Sequence, residues 1–127
     1  MNYYTNKTVD TDIEKATELI KAELQKEGFG IVTQFDVNKA LKEKLDLDFR
    51  PYRILGACNP PFALKSINAE DKIGTLLPCN VMLQEENGKT EIAIINPVAM
   101  MQSVENDEML KIAEEIAEKL NKALSKV

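Results

Sequence analysis

Hydrophobic and polar residues recur along this chain with two different periods, and the changes of period divide it into nine elements. Ile13, Ala16, Ile20 and Leu24 fall at helical spacing. Ahead of them Thr11-Asp12-Ile13-Glu14 matches a capping box, in which a threonine and a glutamate satisfy each other's exposed amides. Gly28 offers the left-handed cap that closes this first helix. Met1 to Lys7 reads as a strand before it, and Phe29 to Phe35 as a strand after it. Asp36 can cap a shorter helix with Ala40, Leu41 and Leu45 on one side. Arg50-Pro51 interrupts the chain, and Tyr52 to Cys58 forms a third strand. Pro60-Pro61 suits the start of another short helix, because proline at the first helical position gives up no needed amide. Ala63, Leu64 and Ile67 are its expected buried side.

Asn87-Gly88 is the strongest local signal. Both residues tolerate positive φ, which a two-residue type I′ hairpin requires, and apolar alternation flanks them. Counting back from that turn pairs Glu86 with Lys89, Leu83 with Ile92 and Val81 with Ile94. Leu77, Cys79, Val81, Leu83, Ile92 and Ile94 then share one face. Asn96-Pro97 ends the last strand, and Asn106 can cap a final helix with Asp107 and Glu108 in its first turn. Met109, Ile112, Ala113, Ile116, Leu120, Ala123 and Leu124 make one apolar stripe along that helix. The order β-α-β-α-β-α-β-β-α predicts an α+β fold. In it, long N-terminal and C-terminal helices pack on one face of a mainly antiparallel sheet.

Composition narrows the function classes. A chain of 127 residues is expected to form a single domain over 1–127 and to bury roughly two-thirds of its unfolded surface. No run of 18 apolar residues suggests a membrane span. The first residues lack the apolar stretch of a signal peptide, so a cytoplasmic address is expected. Net charge is −5 with no basic stripe, which argues against nucleic acid as a partner. There is no histidine, which removes Ser-His-Asp and Cys-His catalysis, histidine metal ligation and a histidine pH switch. Glu70-Asp71 and Glu85-Glu86 are adjacent in sequence, so on a strand their side chains diverge rather than form an acid–base pair. A non-enzymatic role therefore fits the chain better than catalysis.

The chemistry concentrates in two phrases, Tyr52-Arg53-Ile54-Leu55-Gly56-Ala57-Cys58-Asn59-Pro60-Pro61 and Leu76-Leu77-Pro78-Cys79-Asn80-Val81. Each holds one of the two cysteines, followed directly by asparagine, where a strand meets a turn. Alternation directs Tyr52, Ile54, Gly56 and Cys58 to one face and Arg53, Leu55, Ala57 and Asn59 to the other. If the two strands neighbour one another antiparallel, both Cys-Asn pairs lie at the same end of the sheet. The candidate ligand-contacting residues are then Tyr52, Arg53, Gly56, Cys58, Asn59, Pro78, Cys79 and Asn80. Arg50 and Arg53, the only arginines, are the planar cations that would read an anion.

Each residue has a plainer reading. Free cysteine often serves as a small buried apolar residue, and asparagine as a turn former. Two thiols without CxxC spacing supply half a tetrahedral zinc site, so only a dimer sharing Cys58 and Cys79 would complete one. Met100-Met101 suits loop or core packing, or a pocket or dimer cover.

These phrases, with Ala63-Leu64 and Ile73-Gly74, resemble the domain-of-unknown-function 302 family. The similarity extends over nearly the whole chain, including Gly28-Phe29, the hairpin and Asn96-Pro97. It implies a compact α+β fold with long helices on a curved antiparallel sheet, and small bacterial or archaeal proteins that associate as homodimers. It implies no activity, substrate or cofactor. The expected function is a homodimeric module that binds a small anionic metabolite at the Cys-Asn strand ends. Thiol-based redox, metal or persulfide chemistry at Cys58 and Cys79 is one alternative, and a structural dimer regulating a protein partner is another.

Overall fold

The computed structural model describes all residues, Met1–Val127. Five strands form one antiparallel sheet: β1 (Tyr4–Val9), β2 (Gly30–Asp36), β3 (Tyr52–Cys58), β4 (Cys79–Glu86) and β5 (Lys89–Ile95), in the spatial order β1-β5-β4-β3-β2. Between them lie α1 (Ile13–Lys26), α2 (Val37–Leu45) and α3 (Pro60–Ala69), and after β5 come a short α4 (Pro97–Met100) and the long α5 (Asp107–Ser125). Asp71–Leu76 and Met101–Ser103 are 3-10 turns. The α+β architecture and element order expected from the pattern are present.

The hairpin joining β4 and β5 has the register that its turn dictates: Glu86 opposite Lys89, Leu83 opposite Ile92, Val81 opposite Ile94. Asn87 and Gly88 take φ of 55° and 75°, as a type I′ turn needs. Val81, Leu83, Ile92 and Ile94 are fully buried on one face. Burying each such side chain stabilises the fold by about 1.5–3 kcal/mol. They meet Ile20 and Leu24 of α1 and Ile112, Ile116 and Leu120 of α5 in one core cluster. The stripe read along the last helix, from Met109 to Leu124, is the set that α5 buries. Asn106 caps that helix by accepting from Met109 N at 3.0 Å, and its amide donates to Ala69 O at 2.8 Å. One residue therefore starts α5 and docks it to the end of α3.

At the end of α1, Gly28 has φ 88°, Gly28 N donates to Gln25 O and Phe29 N to Leu24 O. This is a Schellman closure, with Phe29 and Leu24 both in the core.

Four local expectations are corrected. β1 runs Tyr4–Val9 rather than Met1–Lys7, because its pairing with β5 extends from Tyr4 opposite Ile95 to Val9 opposite Thr90. Asp12, not Thr11, caps α1 by accepting from Lys15 N at 2.8 Å. Thr11 instead accepts a bond at its carbonyl from the buried Thr90 hydroxyl, and Glu14 turns to Arg53. Helix α2 has no fully buried residue: Ala40 and Leu41 are half-buried, while Leu45 is 67% exposed. Helix α3 is rotated from the expected orientation: Leu64 and Ile67 are exposed, while Phe62, Ser66 and Ala69 turn inward. Ser66 can be fully buried because its hydroxyl donates to Phe62 O at 2.7 Å.

Helices α1 and α5 cover one face of the sheet. The other face, left uncovered by α1 and α5, carries Tyr4 and Asn6 of β1, Ala93 and Ile95 of β5, Asn80 and Met82 of β4, Tyr52 and Ile54 of β3, and Phe35 of β2. No helix is long and apolar enough to cross a membrane.

Candidate functional site

Strands β3 and β4 are antiparallel neighbours, with Ala57 opposite Cys79 and Gly56 opposite Asn80. Both Cys-Asn pairs therefore lie at one end of the sheet. There, between the strand ends and α3, is a cavity of about 200 Å³. It is lined by Phe29, Val32, Ala57, Cys58, Asn59, Phe62, Ala63, Ser66, Leu77, Pro78, Cys79 and Ile116. The wall is almost wholly carbon and sulfur, because its polar groups are already engaged. Asn59 Nδ2 donates to Glu27 O at 3.2 Å, tying the start of α3 to the end of α1, and Ser66 donates within its own helix. The asparagine amide also packs over Gly28, where a Cβ would stand 3.0 Å from Asn59 Nδ2.

Gly56 lets this end of the sheet close. A Cβ there would overlap Thr33 Oγ1 and stand 2.6 Å from Pro78 Cγ, so the Pro78 ring and the Thr33 side chain occupy the space a side chain would take. The Leu77–Pro78 peptide bond is cis.

Cys58 and Cys79 are both free thiols and both half-buried. Burial, with a smaller contribution from neighbouring Cys58, pushes the Cys79 thiol up to about 11. At neutral pH it is therefore protonated and a weak nucleophile. Iodoacetamide at pH 8 should label Cys79 about a hundredfold more slowly in the folded protein than in urea, the factor that two pH units carry. Peptide mass spectrometry reads this directly, and equal rates in the two states would contradict the burial argument. No group of three or more histidine, cysteine, aspartate or glutamate residues is placed to hold a metal ion.

Four of the eight candidate residues, Cys58, Asn59, Pro78 and Cys79, line this cavity, and Gly56 packs behind it. Arg53 lies elsewhere. It sits toward the opposite end of β3 on the helix-covered face, with its side chain only 7% exposed. Its guanidinium donates to Asp36 Oδ1 at 2.6 Å, Glu14 Oε1 at 2.8 Å and Thr17 Oγ1 at 3.0 Å. Arg50 is engaged as well, donating to Gln84 Oε1 at 2.8 Å, 3.6 Å from Glu86 and stacked 4.4 Å from the Phe49 ring centre. Neither arginine lines the cysteine cavity.

Tyr52 and Asn80 line a second hollow of about 370 Å³ on the uncovered face, together with Tyr3, Tyr4, Met82, Gln84, Glu91, Ala93, Ile94 and Ile95. Sequence reasoning missed this hollow and its residue Glu91. The only local signal was the alternation that places Glu91 on the uncovered face.

The family model for the domain of unknown function DUF302 matches residues 5–127. Among solved structures, an uncharacterized conserved DUF302 protein from Bacillus stearothermophilus is similar with a TM-score of 0.92 and 31% identity. The match covers 99% of this chain and 98% of that one. No curated protein matches the sequence. The family match over nearly the whole chain, the shared fold and the shared length agree: the chain belongs to the DUF302 family.

Proposed function

We propose that the chain is a binding module that holds a small, largely apolar molecule in the cavity between β3, β4 and α3. The observation that carries this reading is a preformed hollow whose wall is carbon and thiol, with its polar groups already bonded elsewhere. A dry apolar cavity of about 150 Å³ accepts a benzene ring, so about 200 Å³ has room for one substituted ring. The chemistry of the wall favours a neutral ligand over the anion expected from the arginines, since both guanidinium groups are already paired. The raised Cys79 thiol favours packing against a ligand over thiolate chemistry.

Ala63 lines the cavity from α3 and is partly exposed, so a larger side chain there can enter the hollow without disturbing the sheet. Saturating toluene or indole should raise the melting temperature of the wild type by several degrees through binding to the folded state alone. Ala63→Phe should abolish that rise. Equal shifts in both proteins, or none in the wild type, would count against the cavity as the site.

A homodimer forms part of this reading. On the uncovered face Phe35 is 52% exposed beside Ile54, and none of Thr33, Phe35, Ile54 and Gly56 is charged. Two copies of net charge −5 can meet there without opposing like charges. Light scattering should give a dimer mass for the wild type and a monomer mass for Phe35→Glu. A monomeric wild type or a dimeric variant would overturn this interface.

A further inference from the structure

The hollow on the uncovered face differs in chemistry from the cysteine cavity. All three tyrosines of the chain line it, although they lie at positions 3, 4 and 52. Tyr3 and Tyr4 meet edge to face with ring centres 4.9 Å apart, so they present two differently inclined aromatic surfaces. Met82 and Ala93, opposite one another on β4 and β5, form an apolar floor. The one charged residue in the lining is Glu91.

Two amides fix that carboxylate in place. Asn6 Nδ2 donates to Oε2 at 2.8 Å and Gln84 Nε2 donates to Oε1 at 2.7 Å. These two bonds hold the Glu91 carboxyl below its ordinary range, with the Asn6 bond the larger cause and partial burial opposing both. No lysine or arginine pairs with it. The nearest cation in the network, Arg50, reaches Gln84 rather than Glu91 and is itself near Glu86. An oriented carboxylate without a counter-ion thus faces an aromatic and thioether hollow of about 370 Å³. That volume falls within the range typical of small-molecule sites.

We propose that this hollow binds an organic cation: a protonated or quaternary amine with an apolar body. The ammonium group would pair with Glu91 and lie against tyrosine faces, whose negative π surfaces attract cations. The apolar body would cover Met82 and Ala93. A carboxylate ligand would meet Glu91 as a like charge, and a neutral ligand would gain only the contact with the floor.

The chain has no tryptophan, so its tyrosine fluorescence reports on this hollow alone. Cyclohexylammonium and cyclohexanol have nearly the same shape, absorb little in the tyrosine band and differ in charge. Titration at pH 7 should give a saturable fluorescence change with cyclohexylammonium and at least tenfold weaker binding of cyclohexanol. Glu91→Gln, which retains an acceptor and the side-chain shape, should weaken the cation at least tenfold and leave cyclohexanol unchanged. Tyr52→Leu, monitored through the two remaining tyrosines, should also weaken the cation. Ala63→Phe should leave it unaffected, which separates this site from the cysteine cavity. Equal affinity for the two probes, undiminished binding by a folded Glu91→Gln protein, or no saturable change in the wild type would each overturn the proposal.

Discussion

Gly56→Ala is expected to destabilise the protein by about 3 kcal/mol, a larger penalty than glycine-to-alanine replacement brings at most strand positions. The new methyl would overlap Thr33 Oγ1 and press on Pro78 Cγ from 2.6 Å. Neither neighbour yields easily. Thr33 is β-branched and stiff at χ1, and Pro78 is a ring pinned beside the start of β4. The backbone of β3 is equally constrained, since it pairs with β2 on one side and β4 on the other. For a chain of this length the loss corresponds to a fall of roughly 10 °C in melting temperature. Thr33→Ala removes one of the two obstacles, so the double variant should recover about 1 kcal/mol. A Gly56→Ala protein that melts within 2 °C of the wild type would show that the strand end is looser than the close approach of Pro78 requires.

Arg53→Met has the second large effect. The side chain is buried and its three donors satisfy Asp36, Glu14 and Thr17. The Glu14 arm contributes little, because that carboxylate is 75% exposed and screened by water. The Asp36 arm differs, with its carboxylate only 16% exposed. Removing the guanidinium leaves Oδ1 without its partner and the charge held only by Gln34 and the exposed Lys39, so the expected cost is about 3 kcal/mol, at the lower end for breaking a buried pair. Urea unfolding of Arg53→Met, Asp36→Asn and the double variant measures the coupling, and purely additive losses would contradict the pairing.

The same network sets the response to acid. The hydrogen bond and charge of Arg53 hold Glu14 below its ordinary 4.5. Burial pushes Asp36 upward, but the bonds from Arg53 and Gln34 and the charge of Arg53 outweigh it, so it too lies below its ordinary 3.8. Groups lowered in the folded state bind protons more readily when the chain is unfolded. Their stabilisation is therefore full above about pH 4.5 and is lost as pH falls through the folded values. Wild-type stability should decline below pH 4.5, and that of Arg53→Met should decline less steeply.

Much of the fold is legible in the sequence where local chemistry specifies geometry. Asn87-Gly88 selects one turn type, and that turn sets the register of β4 against β5 without help from the rest of the chain. The stripe from Met109 to Leu124 is long enough for its period to identify a single buried face. Alternation along Tyr52–Cys58 separates the covered face from the open one. Short elements are less legible. In α3, Leu64 and Ile67 outweigh Ser66 in hydropathy, yet the serine is buried because a backbone carbonyl satisfies its hydroxyl.

Tertiary partners explain the other departures. Glu14 has the spacing of a capping residue, but Arg53 lies 39 positions away in sequence and claims it. Arg53 stands toward the opposite end of β3 from the Cys-Asn pairs, where Asp36 and Glu14 engage it, leaving a cavity of carbon and sulfur where arginine chemistry suggested an anion reader. Cys58 and Cys79 converge as antiparallel pairing requires. Alternation puts Glu91 on the uncovered face, but the hollow of three tyrosines is not legible from it, because the order β1-β5-β4-β3 is needed to assemble it.

The cavity between β3, β4 and α3 carries the functional account, and a toluene titration followed by nuclear magnetic resonance on isotopically labelled protein tests it most directly. Saturable shifts are expected, concentrated at Phe62, Ala63, Cys79 and Ile116 and absent from Ala63→Phe. Shifts that fail to saturate, or that centre on Tyr52 and Met82 of the uncovered face, would contradict it.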